Sequence, residues 1–503
     1  MADDAIRSIL VVGGGTSGWI SAAVLARFLL PGETRITLVE SDEIGIVGVG
    51  EATVPLIRNL NGLLGLDENA FVAATNGAFK LGIEFRDWGE IGNVHFHGFG
   101  DFGDDIEGVA PHHHWLKLRQ LGDQTPIDDY SLPYALGRRG RFAPPNPNPG
   151  QPGSDYRYAF HFDAALYARF LRAHCESRGV ARVEGRIADV AQHGESGNIR
   201  SVTLTDGRVL EADFFIDCSG FRGLLIEGAL KTGYESWQQW LPCDRAVVAP
   251  SSFVGEPPPF TVSSAQEAGW QWRIPLQHRD GNGYVYSSRF TSDARAREVM
   301  LGNLKGQPEA DPRVIQFIGG RRNSFWNRNC VAIGLAGGFL EPLESTSIQL
   351  IQTAIARLID FFPRRTPDPV IMAEYNRLGI AEYERVRDFI ILHYCLTRRT
   401  EPMWEFVRNM ELPETLAHKI EVWKSMGRVP LLTEESYQEP SWVSIFLGNK
   451  VLPRRYDPLV DRIDTDRLAH GMEARRRGIA ALAEHVPTQA DYIRRHCAMR
   501  AVA

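Results

Sequence analysis

A basic excess is missing from this 503-residue sequence: 55 lysines and arginines stand against 62 aspartates and glutamates, a net charge of −7. A general nucleic-acid binder carries a basic footprint, so that class is set aside. Cysteine is scarce and scattered. The six, Cys175, Cys218, Cys243, Cys330, Cys395 and Cys497, include no C-x-x-C pair, which removes the case for a zinc site or a disulfide framework. No apolar run reaches membrane-spanning length, and no internal repeat stands out. The acidic N-terminus runs straight into a strand-like segment and does not read as a signal peptide. The adjacent histidines His112, His113 and His114 lack a Cys or Glu partner at ligand spacing, so a polar loop is expected there and no metal. These absences leave a cytoplasmic protein with neither nucleic acid nor membrane as partner. With 44% hydrophobic residues, the chain can bury a large core, in several domains or in one large α/β domain with an addition.

What is present begins with SILVVGGGTSGWISAAVLARFL. Ser8 to Val12 suits a buried parallel strand. Gly13, Gly15 and Gly18 then form G-x-G-x-x-G, with Thr16 and Ser17 inside it, and Ile20, Ala23, Val24, Ala26 and Leu30 follow at helical spacing. RITLVE makes a second strand ending at Glu40. Gly13 allows the tight turn, Gly15 the approach of a pyrophosphate, and Gly18 the packing of helix on strand. The helix N-terminus offers N–H groups to phosphate, and Glu40 lies where a carboxylate accepts from ribose hydroxyls. The motif alone does not separate FAD from NAD. A second glycine cluster, EIGIVGVGEATVP from Glu43 to Pro55, would place Gly50, Glu51 and Ala52 beside the cofactor. A later block, NCVAIGLAGGFLEPLESTSIQL, reads as a strand over 331–333, a glycine turn at Gly334, and a helix over 345–358. Such a returning segment is common in flavoproteins, and DFFIDCSGFRG adds another strand that ends in glycines.

GWQWRIP, residues 269–275, puts Trp270 and Trp272 two residues apart. In a strand both indoles would face one side as a flat aromatic wall. Taken with VGEATVP, FKLGIEF, HGFG, DCSGFRG, GNGYVYSS and FLEPLESTS, these residues resemble the flavin-dependent tryptophan halogenase family. The likeness is strongest over the first 350 residues and looser beyond. It implies a class A flavin monooxygenase-like fold: an FAD-binding Rossmann-like α/β core, an accessory β-sheet and a helical C-terminal module. The implied chemistry uses FADH2, oxygen and halide to make hypohalous acid, which travels to a lysine beside the substrate.

The resemblance assigns Lys80 as that lysine. Read alone, FKLGIEF alternates like a half-exposed strand, with Lys80 on the solvent side. As ammonium, Lys80 could polarise hypohalous acid; as amine, it could form a haloamine. Glu344 is the implied carboxylate partner, which steadies the cationic intermediate or takes its proton. Thr346 and Ser347 match the halide-binding backbone. There the family pattern ends in glycine, and a positive φ at Ser347 would cost about 1 kcal/mol. His97 and Phe99 are implied to line the substrate pocket, with Gly98 in place of a proline leaving the loop looser. Trp270 and Trp272 would separate flavin from substrate and help block monooxygenation.

The proline–glycine stretch over 143–153 is expected to be a surface insertion or lid. An amphipathic helix reads from near Asp163 to a stop at Gly179, followed by a hairpin turning at Asp206–Gly207. From Thr353 helical patterns dominate, which divides the chain into a core over 1–352 and a helical module over 353–503 covering the substrate side. SYQEPSWVSIFLG contributes Trp442 to the pocket but only Tyr437 and Glu439 where paired tyrosines would hold free tryptophan. An indole-like arene is therefore the expected substrate. No separate NADH fingerprint is seen, so a flavin reductase is implied as partner, and homodimerisation stays open. Two rivals remain: a flavin-dependent aromatic monooxygenase, and a non-catalytic member that binds flavin or indole.

Overall fold

The computed structural model describes residues 4–29, 32–43 and 50–499. The first strand, Ser8–Val12, is central to a six-stranded sheet ordered Trp326–Asn327, Cys330–Ala332, Phe214–Asp217, Ser8–Val12, Arg35–Glu40, Ala181–Glu184. All neighbours pair in parallel except the first two. Alternate side chains of a strand point to opposite faces, and both faces are used. Ile9 and Val11 join the main core beneath the helix Thr16–Phe28. Leu10, Val12, Val39 and Phe215 pack instead against Ile199, Val202 and Leu204 of the small accessory sheet Ile187–Gln192, Ile199–Leu204, Val209–Glu211. The helix Ala164–Glu176 starts on an Asp163 cap, and the hairpin turns at Gly207 with φ +88°, as the sequence indicates.

A second, seven-stranded sheet gathers the scattered motifs. Its order is Arg313–Gln316, Arg245–Ser251, Asp280–Tyr286, Gly269–Pro275, Thr261–Gln266, Gly82–Arg86, Val94–Gly98. A three-stranded sheet joins Gly50–Ala52 and Ala78–Lys80 to either side of Ala159–Asp163. FKLGIEF is therefore two strands broken at Leu81, and Ala78 through Phe85 are all buried. The expected solvent face for Lys80 is wrong, because a second layer of protein covers that side.

The C-terminal part is mainly helical. Position 352 falls within the helix Ser347–Asp360, and the 27-residue helix Pro369–Cys395 drives its last turns into the core, with Val386 to Tyr394 buried. Three other expectations are corrected. His112–His114 form the first turns of the helix Pro111–Gln120 and are buried, with His112 bonded to the Gly427 carbonyl. Gly98 is not in a loose loop: it ends a strand opposite Gly82, where a Cβ would stand 3.1 Å from Pro133 and Ser131. The late strand and helix are Cys330–Ala332 and Ser347–Asp360, the helix starting two residues later than expected because Ser345 takes φ +61°. The loop over 143–153 closes on itself through Asn146 N–H to Gly153 O and rests near Leu482.

Candidate active site

The glycine turn is shaped by close contacts. Gly13 has φ +112°, and a Cβ there would lie 2.3 Å from the Cys218 carbonyl oxygen. A Cβ on Gly18 would lie 1.8 Å from the Gly13 carbonyl oxygen. These two glycines are required by the protein itself. Gly15 differs: a Cβ there would meet nothing within 4 Å. It caps the helix Thr16–Phe28 with no side chain to offer, so the N–H groups of the first turn are left for another partner. Glu40 reaches the same turn, where a Cβ on Gly14 would clash with its Oε2, while Arg182 donates to Oε1 at 2.6 Å. Gly334, at φ +72°, abuts Ser17. The late segment thus returns to the first helix. An open helix start with a carboxylate beside it fits a dinucleotide.

Gly50 joins this cradle to the tryptophan strand, because a Cβ on it would touch Ile274 at 3.2 Å. Glu51 is partly covered, and burial pushes its carboxyl up to about 7. The preceding residues of that cluster, 44–49, lie outside the described residues.

Trp270 and Trp272 share one face of Gly269–Pro275 but do not make a flat wall. Their rings are 5.9 Å apart and tilted by 53°. Trp272 lies over Gly283 of GNGYVYSS, where any side chain would overlap its ring. Trp270 Nε1–H donates to Glu341 Oε1 at 3.0 Å, and Tyr394 O–H donates to the same oxygen at 2.6 Å. Burial pushes the Glu341 carboxyl up to about 7.

Lys80 has no exposed surface. Its Nζ donates to the Thr53 carbonyl at 3.0 Å and to Ser345 Oγ at 2.9 Å, and lies 5.1 Å from the Phe99 ring centre. Burial lowers its pKa to about 7, against the opposing pull of Glu344. Its strand is clamped from the far end of the chain: Phe79 N–H donates to Gln489 Oε1 at 2.9 Å. Glu344 is also fully buried. His97 Nδ1 is 2.9 Å from its Oε2, and His393 Nε2 is 2.9 Å from its Oε1. Burial alone would raise the Glu344 carboxyl, but His97 and His393 outweigh it and hold it down at about 2. Tyr437 stacks on Phe389 at 3.9 Å, with its hydroxyl 3.5 Å from the Glu344 carbonyl. Trp442 stands behind them, 4.9 Å from Phe389, and donates to the Tyr437 carbonyl.

Thr346 caps the helix Ser347–Asp360, with its hydroxyl buried and unpartnered, and Ser347 is the first helical residue. The positive φ belongs to Ser345, so Ser347 carries no such strain. The structure thus brings Lys80, Glu344, His97 and Phe99 together, with Trp442 behind Phe389. Gly13, Gly15, Thr16, Ser17, Gly18, Glu40 and Gly334 gather around the start of the first helix. Sequence reading missed Thr53, Ser345, Glu341, Phe389, His393 and Tyr394. Ser345 and Glu341 lie inside a quoted motif, where an acid before proline and a serine before the helix could have been singled out. His393 had no such signal.

The cradle and the six-stranded, mainly parallel sheet define a flavin enzyme with a Rossmann-like FAD-binding fold. The chain belongs to the tryptophan halogenase family, whose family model matches residues 8–465. It is similar to the tryptophan 7-halogenase RebH of Lentzea aerocolonigenes, 35% identical over 84% of this chain and 82% of that protein. Among solved structures it is similar to BrvH, a flavin-dependent halogenase from Brevundimonas sp. BAL3, with 46% identity, a TM-score of 0.94, and coverage of 97% of this chain and 99% of the other. A flavin-dependent halogenase from Xanthomonas campestris superposes with a TM-score of 0.95 at 43% identity, over 99% of this chain and all of that one (100%). The activity is therefore halogenation of an aromatic substrate with FADH2, oxygen and halide, and a separate flavin reductase supplies the reduced flavin. Among the described residues no helix is long and apolar enough to cross a membrane.

Proposed function

We propose that this halogenase acts on an indole-like ring lacking the amino-acid group, with Lys80 delivering the halogen and Glu344 serving as the working carboxylate. The observation that carries the reading is a fully buried amine held between the Thr53 carbonyl and Ser345 Oγ, one residue from a fully buried carboxylate. When bound, reduced flavin supplies hypohalous acid from oxygen and halide. Residues Gly13 to Gly18, Glu40, Gly50 to Ala52 and Gly334 would hold the flavin nucleotide, and the helix start at Thr346 and Ser347 would hold halide. Trp270 and Trp272 keep the arene from the flavin side. Two directions on the tetrahedral Lys80 nitrogen are taken by hydrogen bonds and one by its own carbon. The fourth is left for the halogen species, as an N–H of the ammonium or the lone pair of the amine. With its pKa lowered to about 7, both forms are present at neutral pH.

The substrate reading rests on Tyr437. Its ring is engaged with Phe389 and no second tyrosine adjoins it, which leaves little to hold a free amino acid. The test is turnover with FADH2, oxygen and bromide on indole, tryptophan and anisole, with product mass recorded. Brominated indole as main product is expected, and none from Lys80→Ala although hypobromite still forms. Hydroxylated arene would instead support a monooxygenase. Bromination of tryptophan in preference to indole would overturn the substrate class.

A further inference from the structure

His393 comes to Glu344 on the last turn of the helix Pro369–Cys395. Its Nδ1 lies 2.8 Å from the Phe389 carbonyl oxygen and its Nε2 lies 2.9 Å from Glu344 Oε1. A carbonyl oxygen only accepts, so Nδ1 carries a hydrogen. The Nε2···Oε1 line must then hold one proton, on nitrogen or on oxygen, because two facing lone pairs at that distance would repel. The carboxylate is also met by His97 Nδ1, 2.9 Å from Oε2 and 3.1 Å from Oε1. The His393 ring has little freedom to turn. Phe389 packs edge-on to it at 5.0 Å and 89°, Phe85 lies 5.0 Å away, and Trp88 lies 6.2 Å away. Glu344 itself ends a short turn, just before the left-handed Ser345 that bonds Lys80.

We infer that His393 is a positioning residue: anchored to backbone through Nδ1–H, it fixes the Glu344 carboxylate through the proton shared at Oε1. The ring sets the direction of one carboxylate oxygen, His97 sets the other, and the adjoining Ser345 ties both to Lys80. His393 does not reach the substrate in this role. Its effect belongs in turnover and not in binding, and should depend on the N–H group and not on the imidazole as such. The inference rests on Glu344 being the working carboxylate.

The experiment uses full-length His393→Phe, His393→Gln and Glu344→Gln enzymes, with a flavin reductase, bromide and indole. His393→Phe keeps the ring's bulk but removes the donor. Its kcat is expected to fall about tenfold or more, the loss of one hydrogen bond to a charged group, while KM for indole and hypobromite trapped without indole stay as in wild type. His393→Gln places an amide N–H toward Glu344 and is expected to recover most of that kcat. A wild-type kcat in His393→Phe overturns the inference. So does a Gln variant as slow as the Phe variant while both bind flavin and form hypobromite, and so does loss of hypobromite formation in both. A wild-type rate in Glu344→Gln is a different result: it takes down the carboxylate assignment itself.

Discussion

At the scale of single residues, this site places ionisable groups where water cannot reach them. Lys80 is the clearest instance, because its ordinary titration lies near ~10.4 while burial brings it down to about 7. Between those two values the unfolded chain binds more protons at this position than the folded one. The stability contributed by Lys80 therefore rises as pH climbs through that window, and its penalty is fullest below it. Methionine has nearly the same length and no charge. Lys80→Met is expected to be more stable than wild type at neutral pH, by about 1 kcal/mol or more, with the gap narrowing toward pH ~10 and halogenation lost. Urea unfolding at two pH values checks this, and a variant weaker than wild type at neutral pH contradicts it. Read alone, the sequence made Lys80 a surface residue. Alternation of apolar and polar side chains marks two faces of a strand, but does not say whether the second face meets water or more protein. Here it meets Thr53, Phe99 and Ser345.

At the scale of elements, what was legible followed from local geometry. The strand, glycine turn and helix at Ser8–Phe28 stand as read, since Gly13 and Gly18 answer to a neighbour within a few residues or to the end of the adjoining strand. The boundary of the late helix was missed by two residues because its start depends on which of Ser345, Thr346 and Ser347 takes the positive φ, and three small polar residues in a row do not declare that. The three glycines of the first turn also make a sharp test. Gly15 has φ −74° and no protein atom near its absent Cβ, so Gly15→Val costs the fold about 1 kcal/mol through the poorer helix cap. Flavin affinity should fall by about tenfold or more, because the side chain fills the pyrophosphate's approach. Gly18→Val, with its Cβ 1.8 Å from the Gly13 carbonyl, is expected to give little folded protein at all. Flavin titration and thermal unfolding of both variants separate the two roles. Unchanged flavin affinity in a folded Gly15→Val enzyme would remove the cradle assignment.

At the scale of the whole molecule, the least legible property was how far the C-terminal helices belong to the core. No local pattern in FIILHYC tells that Phe389, His393 and Tyr394 stand beside segments more than a hundred residues earlier. The Trp88 ring shows the consequence: it meets Trp270 at 6.2 Å from one part of the chain and Tyr394 and Trp404, each at 5.4 Å, from the other. Val386, Phe389, Ile390, Ile391 and Leu392 are buried in the same cluster as Ile9, Phe79, Trp270 and Leu343. Each large apolar side chain buried adds about 1.5–3 kcal/mol, and a whole domain holds only about 5–15 kcal/mol of net stability. Removing even this one helix takes away an amount comparable to that whole margin. A chain ending at residue 352 is further cut inside the helix Ser347–Asp360, and loses the Gln489 side chain that completes the Lys80 strand. Such a chain is expected to be insoluble or unfolded and to bind no flavin, although it keeps every glycine of the nucleotide cradle. Circular dichroism and flavin titration of the truncated chain decide the matter: a folded, flavin-binding fragment would mean that the helical part is an independent cover and that the paired-tryptophan strand stands without it.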